Sequence, residues 1–112
     1  MIKINNPSVR QKRFSSLVLR CVSSFITENP ICLLGFFVFC SRVVASSDLK
    51  KVDIFLWSEF FTSEIIAPVL DKKLEVDKTI ILHIKKKISS DLHLKHIPEI
   101  TIYLDCERVF WG

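Results

Sequence analysis

Residues 94–105 have the sequence LKHIPEITIYLD. After Pro98 the polar and apolar side chains alternate, with Ile100, Ile102 and Leu104 in one set of positions and Thr101, Tyr103 and Asp105 in the other. Because successive side chains of a β-strand point to opposite faces, this alternation predicts a strand with one face in the core. Proline is tolerated at the first residue of a strand, so the strand is expected to begin near Pro98.

Two further strands are predicted earlier in the chain. Residues 31–44 are mostly β-branched and aromatic, which predicts a strand covered on both faces, and Gly35 is a candidate position for a bulge. The sequence SSD at residues 46–48 predicts a turn, and residues 49–57 alternate again, so the two segments are expected to form a hairpin. Trp57, Phe60 and Phe61 lie at its end, where core packing is a more common role than a base-stacking platform.

The first helix is predicted from a cap, an apolar stripe and a stop. Asn6 is the expected N-cap and Pro7 the first helical residue, where the missing N–H costs nothing. Three- and four-residue steps separate the apolar residues Phe14, Leu17, Val18, Cys21, Val22 and Phe25. That spacing gathers them on one helical face, and the sequence ENP at residues 28–30 is expected to end the helix.

A second helical region is expected between the hairpin and the last strand. Thr62 and Ser63 offer an N-cap, and an apolar stripe begins at Ile66. The stripe loses phase at Asp77 and resumes from Ile80 to Leu92, which favours two helices or one bent helix. The predicted order is therefore helix, strand, strand, helix, bent helix, strand. This is an α+β fold, a three-stranded sheet with helices packed on one face.

The length of 112 residues suits a single domain, expected to span residues 1–112 with its core at about 7–105. The net charge is +4, and the basic residues are clustered. The candidate RNA-binding residues are Arg10, Lys12, Arg13, Arg20, Lys85, Lys86, Lys87 and Lys95. Clusters of this kind favour a polyanionic partner, although solvated lysines and arginines on ordinary helix surfaces explain the pattern equally well.

The four cysteines show no Cys-x-x-Cys spacing, and the three histidines lie far from most of them, so no metal site and no cofactor are expected. Apolar residues surround Cys21, Cys32 and Cys40, which suggests reduced thiols and a cytoplasmic protein. The most apolar run, residues 31–40, is shorter than the ~20 residues that a spanning helix needs. A secreted or membrane-associated protein that uses this run for targeting is the less favoured alternative.

Sequence motifs of enzymes are lacking. The chain contains no Gly-rich phosphate loop, no Gly-x-Ser-x-Gly and no His-Glu-x-x-His, and Gly35 and Gly112 are its two glycines. A binding protein without catalytic activity is therefore expected. A small protein-interaction module that binds through Trp57, Phe60 and Phe61 is the alternative among binding proteins.

Residues 94–105 resemble the signature Leu-Arg-x-Val-Pro-Glu-Leu-x-Phe-x-x-Asp of bacterial ribosome-binding factor A. Three weaker similarities follow in the same order along the chain, at residues 29–30, 47–52 and 84–85, so the resemblance extends from about Ser8 to Asp105. Lysine replaces the usual arginine of the family at Lys85 and Lys95, and residues 76–82 lack the Ala-x-Gly at which the last two helices of the family meet.

The resemblance implies a KH-like domain of the second topological type, with the order α-β-β-α-α-β. It also implies binding to the free 30S ribosomal subunit and help in the maturation of 16S rRNA near its 5′-terminal helix, without a catalysed reaction. Members lack the Gly-x-x-Gly loop of ordinary KH domains, and so does this chain. Basic side chains are then expected to bind the RNA, in a monomeric protein that has no membrane partner.

Overall fold

The computed structural model describes residues 8–69 and 78–105. Its elements, in chain order, are α1 (Val9–Glu28), β1 (Cys32–Leu33), β2 (Phe36–Phe37), β3 (Phe39–Ala45), β4 (Lys51–Trp57), α2 (Ser63–Ile66), a 3-10 turn (Ala67–Val69), α3 (Lys78–Leu92) and β5 (Glu99–Leu104). The predicted order of helices and strands is confirmed, with one addition, the small hairpin β1–β2.

The strands β3, β4 and β5 form one sheet in that order. The hairpin partner β3 is antiparallel to β4, while β5 lies parallel to β4 on its other side. In this register Ile54 lies beside Val43 on one strand and beside Ile102 on the other. The middle strand is buried along its length after Lys51, as expected for a strand with neighbours on both sides.

The core lies between the sheet and the two long helices. Val18 and Val22 of α1 meet Ile84 and Ile88 of α3 in this core, and none of the four side chains is more than 1% exposed. The inward residues of β5 are those that the alternation predicts, namely Ile100, Ile102 and Leu104. The α+β class, with helices packed on one face of a three-stranded sheet, is therefore confirmed.

Helix α1 begins later than predicted. Its N-cap is Ser8, and the expected cap, Asn6, lies outside the described residues together with Pro7. The Ser8 hydroxyl accepts from the N–H of Gln11 at 3.1 Å, and the Gln11 side chain accepts from the N–H of Ser8 at 2.9 Å, which forms a capping box. The predicted end is correct, since the helix stops at Glu28 and Asn29 caps it.

The prediction for residues 31–44 is wrong in two respects. Instead of one strand covered on both faces, the first part forms the hairpin β1–β2, in which Leu34 and Gly35 make the turn with φ of 53° and 86°. Gly35 thus allows a turn and not a bulge, while the bulge falls between Cys40 and Arg42 of β3. The hairpin is only partly covered, because Phe37 is 69% exposed.

The aromatic residues after β4 mostly pack. The rings of Trp57 and Phe61 meet edge to face with centroids 5.2 Å apart, and both side chains are 8% exposed. Phe60 differs, since it is 71% exposed and stacks on Phe36 of the hairpin at 5.8 Å. The packing interpretation is therefore confirmed for two of the three rings.

Before the phase break at Asp77, the described part of the second helical region consists of the short helix α2 and the 3-10 turn. Thr62 caps α2 as predicted, and its hydroxyl accepts from the N–H of Ile65 at 3.4 Å. Residues 70–77 lie outside the described part, together with 1–7 and 106–112, so most of the region expected to join the two helices is not described. The helix expected after the break is α3, which begins at Lys78.

Candidate nucleic-acid interface

The four predicted cations of α1 are exposed, but they do not share one face. Arg13 and Arg20 are seven residues apart, close to two helical turns, and lie on the side away from the core. Lys12 borders a shallow cleft beside the last residues of β3, whereas Arg10 borders a separate groove on the other side of the helix. The helix therefore presents its cations in three directions.

The three consecutive lysines of α3 point in directions about 100° apart, because each helical residue advances by that angle. Lys86 is exposed, and Lys85 and Lys87 are half-buried on either side of it. Lys87 donates to Asp91 one turn later at 3.2 Å. The hydrogen bond to this carboxylate raises the pKa of Lys87, while desolvation opposes the change.

Two predicted cations from different helices act on the thiol of Cys21, a buried residue of α1. Burial raises the pKa of the Cys21 thiol, and Asp91 raises it further through its charge and a hydrogen bond. The charges of Lys87 and Arg20 oppose that effect. Both cations therefore act on the Cys21 thiol, and Lys87 is itself paired with Asp91.

A second pair, Arg10 and Lys95, lines a groove of about 670 Å³, which we call the basic groove. Its walls are the first turns of α1, residues 48–50 between β3 and β4, and residues 94–99 before β5. Lys50 and His96 also line it, although the sequence pattern did not identify them as site residues. Lys50 follows a predicted turn, and this position alone does not indicate binding. It becomes a candidate binding residue because it lines the same groove as Lys95.

The turn between β3 and β4 is held by its own polar groups. The Asp48 carboxylate accepts from the Ser46 hydroxyl at 2.6 Å and from the N–H of Lys50 at 3.0 Å. These hydrogen bonds, with the Ser46 hydroxyl as the larger cause, lower the pKa of Asp48. Asp48 therefore uses much of its hydrogen-bonding capacity within the turn, while Lys50 remains exposed at the rim.

The wall formed by residues 94–99 starts where α3 ends. His93 adopts φ of 51°, and the N–H of Leu94 donates to the carbonyl oxygen of Ser89 at 3.2 Å, which is a Schellman-type helix end. The N–H of Glu99 then donates to the carbonyl oxygen of Lys50 at 2.8 Å. This bond joins the wall that carries Lys95 to the wall that carries Lys50.

The floor of the basic groove is apolar. Phe14 and Pro98 are buried beneath it, Leu94 is half-buried, and Ile97 is 50% exposed at the rim. Glu99 adds a second carboxylate, and its side chain is exposed. The groove therefore combines apolar surface with four basic residues and two acidic ones.

The basic groove at Arg10 and the surroundings of Cys21 near Arg20 are separated along α1. Ten residues divide Arg10 from Arg20, a rise of about 15 Å in an α-helix.

Among residues 8–69 and 78–105, no group of three metal-ligating side chains occurs. The positive φ of His93 belongs to the end of α3. Within the same described residues, no helix has the length and apolar character that a membrane crossing requires.

Neither the family models nor the curated protein sequences include a match to this chain. Solved structures do match. The crystal structure of ribosome-binding factor A from Thermus thermophilus superposes with a TM-score of 0.56 at 7% sequence identity, covering 84% of this chain and 94% of that one. A solution structure from Thermotoga maritima, of a protein provisionally assigned as a ribosome binding factor A, gives a TM-score of 0.49 at 23% identity, covering 88% and 89% of the two chains.

The likeness to the Thermus thermophilus structure extends over most of both chains. It confirms the fold that the resemblance at residues 94–105 implies, an α+β domain with the KH-like architecture of ribosome-binding factor A.

Proposed function

We propose that this chain is an assembly factor of the small ribosomal subunit. It binds the free 30S subunit and assists the maturation of 16S rRNA near the 5′-terminal helix, and it catalyses no reaction. The observation that carries the proposal is the fold shared with a ribosome-binding factor A over 94% of that chain. The Pro-Glu segment of the sequence signature supports it because it forms the expected last strand, β5.

The proposed contacts are electrostatic. Exposed lysines and arginines neutralise RNA phosphates and release counterions, a term that supplies most sequence-independent affinity. Arg13 and Arg20 on the outer side of α1, and Lys86 on α3, offer this charge in a form accessible to a large polyanion. Without the Gly-x-x-Gly loop of ordinary KH domains, side chains replace the backbone contacts to RNA.

The same arrangement of cations also suggests how the factor is released from the small subunit. Phosphate contacts spread over two helices and one groove require a particular arrangement of RNA strands. We infer that the factor leaves when folding of the rRNA closes the site. The protein acts as a monomer in the cytoplasm, with the 30S subunit and its 16S rRNA as partners.

Sedimentation of the tagged full chain in a bacterial lysate tests the proposal. We expect the protein in fractions that contain free small subunits and not in fractions of whole ribosomes. Raising the salt from about 50 to 200 mM should release most of it, because several phosphate contacts lose orders of magnitude in affinity over that range. Protein found only at the top of the low-salt gradient would contradict ribosome binding, and salt-independent co-sedimentation would contradict phosphate contacts.

One observation favours a second candidate, a protein-interaction module. Phe37 and Phe60 are 69% and 71% exposed, close to the hairpin β1–β2. Trp57 and Phe61, which the sequence assigned to the same surface, are buried and do not contribute. Ribonuclease treatment distinguishes the two candidates, since a protein partner stays bound after the RNA is digested.

A further inference from the structure

We propose that the basic groove holds one unpaired nucleotide whose base carries an amino group, such as cytidine or adenosine. This inference rests on the proposed function, which supplies a single-stranded RNA partner. It assigns one nucleotide of that RNA to a distinct subsite on the protein. The base lies on the apolar floor, and its phosphate contacts Arg10, Lys50 and Lys95 at the rim.

The shape of the groove favours an extruded base over a duplex. Its volume of about 670 Å³ lies within the range of about 300–1,000 Å³ that small ligands occupy in proteins. Double-stranded RNA is recognised across a wide, shallow minor groove, which needs a protruding protein surface and not a recess. An unpaired base, in contrast, is commonly splayed out and received by a pocket of this size.

The chemistry of the floor fits the flat face of a base. Phe14, Leu94 and Pro98 give apolar contact, and the half-exposed Ile97 extends it to the rim. The ring of His96, an exposed residue on the same wall, is of the aromatic type on which RNA bases stack. A free inorganic anion would leave this apolar surface unused.

The charged residues at the rim indicate how the nucleotide is oriented, with its phosphate at the lysines and its base at a carboxylate. Lys50 and Lys95 lie on walls joined by the 2.8 Å bond between Glu99 and Lys50, so their spacing is fixed by backbone structure. A phosphate between them receives charge-assisted hydrogen bonds. Asp48 is engaged within its own turn through bonds of 2.6 and 3.0 Å.

Glu99 is the remaining carboxylate of the groove, and its side chain is exposed. An ionised carboxylate accepts hydrogen bonds and donates none, so it suits a base with an exocyclic amino group. Uracil has a carbonyl oxygen at the position of cytosine's amino group, so at that position it offers the carboxylate an acceptor in place of a donor. Glu99 thus selects cytosine or adenine over uracil.

Mononucleotide titration followed by NMR tests this assignment with the full chain. We expect CMP to shift the backbone amides of residues 48–50 and 94–99, and UMP to bind about fivefold or more weakly, as expected for one lost hydrogen bond to a charged group. Glu99→Gln should remove most of that difference. Inorganic phosphate that produced the same shifts with the same affinity would overturn the proposal, as would equal binding of CMP and UMP or no shifts at millimolar CMP.

A pair of charge-matched variants separates this subsite from general electrostatics. Lys50→Gln with Lys95→Gln should weaken CMP binding about tenfold or more, because two charge-assisted contacts are lost. Lys12→Gln with Lys86→Gln removes the same net charge outside the groove and should change CMP binding less than about twofold. Equal effects of the two double variants would contradict a nucleotide site in the groove.

Sedimentation of the same proteins shows which proposal fails. If the wild-type chain binds small subunits but CMP does not bind the groove, the nucleotide subsite is wrong and the assembly-factor function stands. If CMP binds the groove as expected but the wild-type chain never associates with small subunits, the proposed function is wrong and the nucleotide site needs another RNA.

Discussion

The side-chain amide of Gln11 donates to the carbonyl oxygen of Ala45 at 3.3 Å, which joins the first turn of α1 to the last residue of β3. The N–H of Ala45 donates to the hydroxyl of Ser15, one turn further along the same helix, at 3.2 Å. Gln11 is 6% exposed and also completes the capping box with Ser8. These bonds fix the end of α1 that carries Arg10 against the sheet.

We therefore expect Gln11→Ala to lower the free energy of unfolding by about 1–2 kcal/mol, since it removes half of a capping box and leaves a buried carbonyl without its donor. Urea denaturation followed by circular dichroism measures the change. Ser16→Ala, at an exposed position of the same helix, is the control and should shift the midpoint little. Equal midpoints for the two variants would show that the Gln11 bonds add no stability.

The substitution Gln11→Glu separates the two roles of this residue. A glutamate still accepts from the N–H of Ser8 but cannot donate to Ala45. At neutral pH we expect a loss of stability at least as large as that of Gln11→Ala, because the ionised carboxylate is buried beside the carbonyl oxygen of Ala45 and the two repel each other. Stability equal to that of the wild type would mean that the bond to Ala45 contributes nothing measurable.

Local patterns predicted the elements well. The helical and two-residue periods depend on neighbours in the chain, so α1, its end at Glu28 and the alternation of β5 could be predicted. The turn at Leu34 and Gly35 could not, because an apolar run of this composition fits a buried strand and a partly exposed hairpin equally well. The burial of Gln11 could not be predicted for a similar reason, since its partner is 34 residues away.

The candidate site was less predictable than the fold. Exposed cations on α1 and α3 are visible in the sequence, but their directions depend on which side of each helix is packed. The neighbourhood of Arg10, Lys50 and Lys95 results from the parallel pairing of β4 with β5. No local pattern specifies that pairing, so Lys50 and His96 were missed and Lys12 was grouped with cations that point elsewhere.

The lysines of α3 should contribute unequally to small-subunit binding. Lys86 is exposed, whereas Lys87 is bound to Asp91 at 3.2 Å. To contact a phosphate, Lys87 must either break this ion pair or hold the Asp91 carboxylate close to the phosphate, which repels it. We expect Lys86→Gln to weaken binding more than Lys87→Gln, and to reduce the slope of log affinity against log salt by about 0.7–0.9. Sedimentation at several salt concentrations measures both quantities.

The variant Asp91→Asn is the complementary test of the same idea. It removes the carboxylate that binds Lys87 and should strengthen binding to small subunits at low salt. Weaker binding by Asp91→Asn, in a protein with unchanged circular dichroism, would mean that the carboxylate orients Lys87 and does not compete for it.

The end of β5 is tied to the bulge of β3 through Asp105. The Ser41 hydroxyl donates to its carboxylate at 2.6 Å, the Nε of Arg42 lies 3.4 Å away, and the Asp105 side chain is 5% exposed. Asp105→Ala should lower the free energy of unfolding by about 2 kcal/mol, since it removes the Ser41 hydrogen bond and the Arg42 ion pair to this buried carboxylate. Glu59→Ala, at an exposed position, is the control for chemical denaturation, and equal stabilities would contradict a structural role for Asp105.

Cys40 should make the protein less stable in alkali. Burial raises the pKa of its thiol from 9.0 to about 12, a hydrogen bond with the backbone of Arg42 opposes the change, and the charge of Asp105 adds to it. Between these values the unfolded chain releases the thiol proton and the folded chain keeps it. Because the folded state then binds more protons, its stability falls as the pH rises, by about 1.4 kcal/mol per pH unit for one group.

The contribution of Cys40 is thus fully present below pH 9.0 and is lost progressively as the pH approaches about 12. Cys40→Ala removes this titration while Cys21, whose pKa is also raised, stays in both proteins and cancels in the comparison. The free energies of unfolding from urea denaturation at about pH 8 and pH 10 should therefore differ more for wild type than for Cys40→Ala, by about 1 kcal/mol. Cys32→Ala, at an exposed thiol, is the matched control and should follow wild type. An identical alkaline loss in Cys40→Ala would show that the Cys40 thiol ionises as readily in the folded chain as in the unfolded one.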